Sequence, residues 1–290
     1  MNGLIIPTLP KTLAPSEAPQ PFTLEYLNGL SEEERKSPEM QEFGRRMNNS
    51  GSEYVALFVW RYQSKVIETP FLPRQGSMFF LDCGRGPFAV TAGHVFEQFV
   101  EDHRLRRIRS CQVGNIGFRP EDRLIAWGKN LGLDIATFKV TPEEIAAMGK
   151  RIVQGTDDAW PPPPNRDEAV FFGGFPGSER DSIGPHEMVF GLYSAMPRLT
   201  SYTEHQVCCQ FAREDWIDVR GLGLPQVGYD LGGVSGGPML QPIFIDGAWG
   251  WRLVGVISEA VSVEGFERVT AVRAHFILPD GRLSRGGAMS

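Results

Sequence analysis

Cysteine is scarce in this chain: Cys83, Cys111, Cys208 and Cys209 are the four among 290 residues. None forms a C-x-x-C pair, the spacing common to zinc sites and redox dithiols. Adjacent Cys208 and Cys209 on a strand would point to opposite faces, which suits neither an ordinary disulfide nor a zinc site. A reduced, cytoplasmic protein is the expectation. Basic charge is short as well, with 29 Lys and Arg against 35 Asp and Glu and a net of −6. The densest basic stretch is Arg104, Arg106, Arg107 and Arg109, so no nucleic-acid partner is expected. No apolar run approaches the roughly 18 residues of a bilayer span. The opening MNGLIIPTLPKTLAPSEAP also lacks the basic start and unbroken apolar core of a signal peptide. No membrane partner is expected either.

What the chain does have is 33 Gly and 22 Pro. Breakers spread this evenly exclude long helical bundles and coiled coils. Residues 1–21 carry five prolines and read as an extended arm. Two helix starts follow: a capping box at Ser31–Glu34, and Ser37-Pro38 as a cap with proline in the first turn. Residues 1–52 therefore read as an arm with short helices, appended to the main fold and open to a docking partner.

From residue 53 the pattern changes to short apolar, β-branched and aromatic runs bounded by turn signals. Strands are expected at 53–62, 77–83, 87–92, 107–113, 123–128 and 134–140, with helices at 95–103 and after Thr141. Trp160-Pro-Pro-Pro-Pro-Asn165 interrupts this block, since four successive prolines cannot join a central strand. A second block of strands is expected at 168–174, 187–196, 204–211, 216–219, 237–245, 251–259 and 268–277. The resulting division is an all-β protein: a first β-barrel at 53–158, a linker at 159–166, a second β-barrel at 167–280 and a tail at 281–290.

Three segments carry chemistry. Thr91-Ala-Gly-His94 sets a histidine just after an apolar strand. Leu133-Asp-Ile-Ala136 sets Asp134 at the start of another. Gly233-Val-Ser-Gly-Gly-Pro238 sets Ser235 in a loop where residues 221–237 hold seven glycines. A serine hydroxyl needs a base to become a nucleophile, and donors for the oxyanion that its attack creates. Backbone N–H groups in a glycine-dense loop can converge on one point. Gly233 and Ser235 are the natural donors, His94 the base, and Asp134 the group that fixes its tautomer. His103, His186, His205 and His275 read as structural or surface residues. The Gly233–Gly237 run also satisfies the G-x-S-x-G elbow of α/β-hydrolases, with Asp246 and His275 following in order. That elbow must feed a helix, and Gly236-Gly237-Pro238 is a poor helix start.

In these residues the chain resembles the trypsin-like (chymotrypsin-fold) serine peptidases. TAGH, LDIA and GVSGGP resemble the family's three motifs and occur in its His, Asp, Ser order, separated by 40 and 101 residues. FGGFPG (172–177) and LVGVISEA (253–260) resemble two further family segments. The resemblance spans roughly residues 53–278. It implies two packed six-stranded antiparallel β-barrels, a polypeptide substrate, and no metal or organic cofactor. It also implies Ser258 and Ala260 on the cleft wall, and Tyr229 and Asp230 near the specificity pocket. Tyr229 could narrow that pocket, and Asp230 could attract a basic side chain. Two departures set the chain apart. Val95 stands where disulfide-stapled members have Cys, and Val234 where zymogen-activated members have Asp. The chain resembles instead the disulfide-poor, bacterial-type branch. Serine endopeptidase activity is the expectation, and a binding or regulatory module with little or autoinhibited turnover is the alternative.

Overall fold

The computed structural model describes residues 30–35, 37–62, 73–105, 108–155, 160–161, 163–166, 168–183, 187–212, 218, 223–226, 228–245, 248–263 and 266–286. The first half carries β1 (Ala56–Tyr62), β2 (Pro73–Asp82), β3 (Phe88–Thr91), β4 (Ile108–Val113), β5 (Ile116–Gly117), β6 (Leu124–Trp127), β7 (Ala136–Lys139) and β8 (Ile152–Gln154). The second carries β9 (Phe171–Gly174), β10 (Arg180–Ser182), β11 (Met188–Phe190), β12 (Tyr193–Ala195), β13 (Ser201–Tyr202), β14 (Gln206–Ala212), β15 (Pro238–Ile245), β16 (Ala248–Val263) and β17 (Phe266–Arg273). Among the described residues five helices accompany them: α1 (Glu32–Arg35), α2 (Pro38–Ser52), α3 (Gly93–Arg104), α4 (Pro120–Arg123) and α5 (Pro142–Ala147).

The protein is mostly β, in two principal sheets. The first runs β5-β4-β1-β2-β3-β7-β6, with β8 pairing beside β2; the second runs β12-β9-β15-β16-β17-β14-β13. In place of the expected six-stranded barrels, the two principal sheets hold eight and seven strands among the described residues, the short strands β5, β8 and β13 included. One pairing, β2 with β8, is parallel rather than antiparallel. Among the described residues both strand paths are open. In the first, α4 stands between β5 and β6, where Pro120 lacks a ladder N–H. The run at 187–196 is also two strands rather than one. It breaks at Gly191, whose N–H donates to Glu179 O at 2.7 Å, and β11 leaves to form a separate two-stranded sheet with β10. The run at 268–277 ends as a strand at Arg273 and continues as a 3₁₀ turn. Most of the 216–219 run lies outside the described residues.

The continuous apolar run in β2 follows from burial on both faces. Met78 and Phe80 enter one cluster with Phe58, Trp60, Phe96, Phe99 and Phe138. Phe79 and Leu81 enter another with Phe171, Leu240, Leu253 and Val256 of the second half. This second cluster is the seam between halves, and it also receives Met47 of α2. The period of two in β2 therefore decides which side chains fill the first half and which join it to the second.

The N-terminal helices start as their caps dictate. Glu34 Oε2 accepts from Ser31 N at 2.7 Å, and Ser37 Oγ accepts from Met40 N at 3.3 Å. Helix α2 lies on the second half: Trp251 Nε1 donates to Ser50 Oγ at 3.1 Å, and Phe43 packs on Trp249 with ring centroids 5.5 Å apart. The C-terminal segment returns to the first half, where Thr137 Oγ1 donates to Gly281 O at 2.6 Å and Arg285 Nε to Leu131 O at 2.5 Å. All four cysteines are free thiols. No helix among the described residues is long and apolar enough to cross a membrane.

Because Met47 is buried in the seam, Met47→Ala should lower the unfolding free energy by about 2–4 kcal/mol. Denaturant unfolding of the full chain measures this. A loss below about 0.5 kcal/mol would mean that α2 only rests on the surface.

Candidate active site

Antiparallel pairing brings the first two segments together. Thr91 at the end of β3 stands opposite Ala136 at the start of β7. The residues just beyond the pair, Gly93-His94 on one side and Asp134 on the other, therefore leave the sheet at the same end. Helix α3 begins at once, with Ala92 as an N-cap that offers no side-chain acceptor. The Asp134 carboxylate supplies one instead. Its Oδ1 accepts the backbone N–H of His94 at 2.6 Å, and its Oδ2 lies 2.7 Å from His94 Nδ1. One carboxylate thus caps the helix and holds the ring.

This hold sets the chemistry of the imidazole. With Nδ1–H directed at Asp134, Nε2 is left to accept a proton. The hydrogen bond to Asp134 raises the His94 pKa above its ordinary 6.5, with burial opposing it and the charges of Asp134 and Glu97 adding to it. The His94 side chain remains 49% exposed and that of Asp134 30%, so the ring faces open space rather than core.

The third segment arrives from the second half. Gly236 N donates to Ile257 O at 2.8 Å, Ile257 N to Gly237 O at 2.9 Å, and Ser77 N of β2 to Ser235 O at 2.9 Å. The loop lies so close to the first half that a Cβ at Gly236 would sit 2.2 Å from both Ser77 O and Thr91 Oγ1. Thr91 is three residues before His94, and its own hydroxyl donates to Ser77 O at 2.6 Å. The loop bearing Ser235 and the strand that delivers His94 are in direct backbone contact.

Ser235 is half-buried, and its Oγ points to Ser258 O at 3.5 Å, a weak contact. Among the described residues it has no hydrogen bond to His94. Ser258 is turned toward Ser235 by a bulge. Pairing steps from Ile257↔Ala271 to Glu259↔Thr270, so Ser258 is the extra residue, and its hydroxyl donates to Thr270 O at 3.2 Å. The N–H groups of Gly233 and Ser235 find no internal acceptor among the described residues.

The remaining sequence candidates lie nearby. Ala260 is half-buried on β16 against the second-half core. Tyr229 packs on Tyr193 with ring centroids 5.5 Å apart and donates to Glu179 Oε1 at 2.5 Å. Burial, then that hydrogen bond, pushes the Tyr229 pKa up. Asp230 turns back on its own loop, where Oδ1 accepts Gly232 N at 2.8 Å. Ser77 and Glu179 were not singled out in the sequence. Neither carries a local signal, because the partners lie 156 and 50 positions away. Among the described residues no group of three His, Cys, Asp or Glu side chains is arranged to hold a metal ion.

No protein-family model matches the chain, and no curated protein matches it. Solved structures with a related course include one from work on how aromatic interactions drive coupled folding and binding of the intrinsically disordered Sesbania mosaic virus VPg protein. It shares 10% identity over 78% of this chain and 87% of that one, at a TM-score of 0.40. Thermostable serine protease AL20 from an extremophilic microorganism shares 11% over 77% and 93%, at 0.40. The serine protease domain of the Sesbania mosaic virus polyprotein shares 11% over 78% and 90%, at 0.38. The last two are serine protease folds, but the likeness is too loose to carry an argument about activity.

Because Asp134 favours the imidazolium, His94 should titrate above 6.5 in the native protein, and Asp134→Asn should lower its midpoint. NMR titration of the His94 ring reads both. The sign for stability follows: the contribution is full below the unfolded pKa and is lost as pH rises through the folded one. A midpoint unmoved by Asp134→Asn would sever the link.

Proposed function

We propose that this protein is a serine endopeptidase of the trypsin-like, disulfide-poor kind. The observation that carries the reading is the joint hold of Asp134 on the backbone and ring of His94, beside a loop whose Gly233 and Ser235 N–H groups have no internal acceptor among the described residues. In this reading substrate peptide lies along the second sheet, near Ser258 and Ala260. Ser235 Oγ attacks the scissile carbonyl and passes its proton to His94 Nε2, and the oxyanion is received by the N–H groups of Gly233 and Ser235. His94 then protonates the leaving amine. Water, with His94 again as base, releases the acyl group. For productive attack the Ser235 hydroxyl must turn from Ser258 O to His94. Tyr229 and Asp230 border the specificity site in this assignment. The free thiols fit a reducing compartment such as the cytoplasm.

The rest position of Ser235 on Ser258 O favours a second reading, a trypsin-like fold kept as a binding or regulatory module. A fluorophosphonate probe separates the two. The endopeptidase should be labelled once per chain, and Ser235→Ala should lose the label. The labelling rate should rise with pH to a plateau beyond the His94 midpoint. An unlabelled full chain would favour the module, and a labelled Ser235→Ala variant would remove Ser235 as nucleophile.

A further inference from the structure

Four successive peptide planes run through Gly232–Gly236, and each is tied down. The carbonyl of the 232–233 plane accepts Gly177 N–H at 2.7 Å. In the next plane, Gly233 O accepts the Ser77 hydroxyl at 2.9 Å, while Val234 N donates to Leu231 O at 3.1 Å. Val234 O then accepts Gly237 N–H at 3.0 Å. Finally Ser235 O accepts Ser77 N–H at 2.9 Å, and Gly236 N donates to Ile257 O at 2.8 Å. A peptide unit is planar and trans, so holding its carbonyl aims its N–H in the opposite direction.

The Gly232-Gly233 plane is the one most in need of such a hold. Glycine flanks it on both sides, and Gly233 sits at φ +106°. The outside holds on the planes either side of Gly233 have fixed donors. Gly177 opens a 3₁₀ turn (Gly177–Glu179) whose neighbours bind the same loop, Ser178 Oγ to Asp230 O at 2.8 Å and Glu179 to the Tyr229 hydroxyl. The Ser77 hydroxyl is fully buried and accepts Phe175 N–H at 2.9 Å, so its own hydrogen is directed at Gly233 O.

We infer that Gly177 and Ser77 are positioning residues that clamp the planes on either side of Gly233 and so aim its N–H at the oxyanion position. This rests on the peptidase reading above. Neither residue touches substrate; each acts through Gly233.

Gly177 allows a one-atom-group test. Pro176 at φ −69°, ψ 151° tolerates a following proline, and Gly177 is the first residue of its turn. A Cβ there would meet only Gly232 O, at 3.7 Å. Gly177→Ala therefore adds a side chain and keeps the N–H, whereas Gly177→Pro removes the N–H. The full chain is reacted with a fluorophosphonate: Ser235 Oγ bonds to phosphorus, fluoride leaves, and the serine proton passes to His94. At saturating probe, Gly177→Pro should react about 10–100-fold more slowly than Gly177→Ala, and Ser77→Ala similarly slower than wild type, by analogy with loss of an oxyanion donor. The half-saturating probe concentration and the pH midpoint, which reports His94, should stay put. Equal rates for Gly177→Pro and Gly177→Ala, or a rate loss accompanied by a moved pH midpoint, would overturn the clamp. Should Gly177→Pro fail to fold, Ser77→Ala decides alone, and an undiminished rate overturns the proposal. If wild type takes no label, the peptidase reading falls by itself. Crystal structures of the two Gly177 variants then judge the clamp, and an unturned 232–233 plane in Gly177→Pro refutes it.

Discussion

The close approach of two backbones at Ser77 is the constraint on which the site depends. One residue of β2 gives its N–H to Ser235, its hydroxyl to Gly233 O and its carbonyl to Thr91. These partners lie on the two chain segments that must meet, the serine loop from the second half and the strand that delivers His94 from the first. Such an approach leaves no room for a Cβ at Gly236. The apolar seam behind it, built from Phe79, Leu81, Phe171 and Leu253, supplies cohesion without direction. The polar contacts at Ser77 supply the direction, because hydrogen bonds are specific in angle where apolar contact is not.

Much of this was legible in the sequence, and the pattern of what was not has physical causes. Apolar runs such as Ser77–Cys83 and Phe88–Thr91 announced strands, since burial on both faces demands such runs. Capping signals at Ser31, Ser37 and Thr141 announced helix starts for a local reason: donor and acceptor are three residues apart. The T-A-G-H and L-D-I-A motifs pointed to His94 and Asp134, whose side chains lie within hydrogen-bond distance of each other. Nothing local announced Ser77, whose bond to Gly233 spans 156 positions, or Ser50, whose bond from Trp251 spans 201. Strand breaks were equally hidden. Gly191 sits in an apolar run and reads as strand until Glu179, arriving from elsewhere, claims its N–H.

The electrostatics of the site are economical. Asp134 meets two needs with two oxygens, the unfilled N-terminus of α3 and the orientation of the His94 ring. The hydrogen bond to the carboxylate shifts the pKa of the half-exposed ring upward, and burial opposes the shift. The Tyr229 pKa is raised as well, but there burial and Glu179 favour the neutral form and keep the hydroxyl a donor.

The two ends of the chain cross over. Helix α2, at the start, is seated on Phe171, Trp249 and Trp251 of the second half, while Gly281 and Arg285, near the end, are fastened to Thr137 and Leu131 of the first. Each half therefore holds a piece contributed by the other, in the manner of two hands gripping opposite wrists. A backbone cut between the halves would leave two fragments that share a buried apolar seam and a contact at each crossing end. The two halves are thus joined by noncovalent contacts at three places as well as by the chain itself.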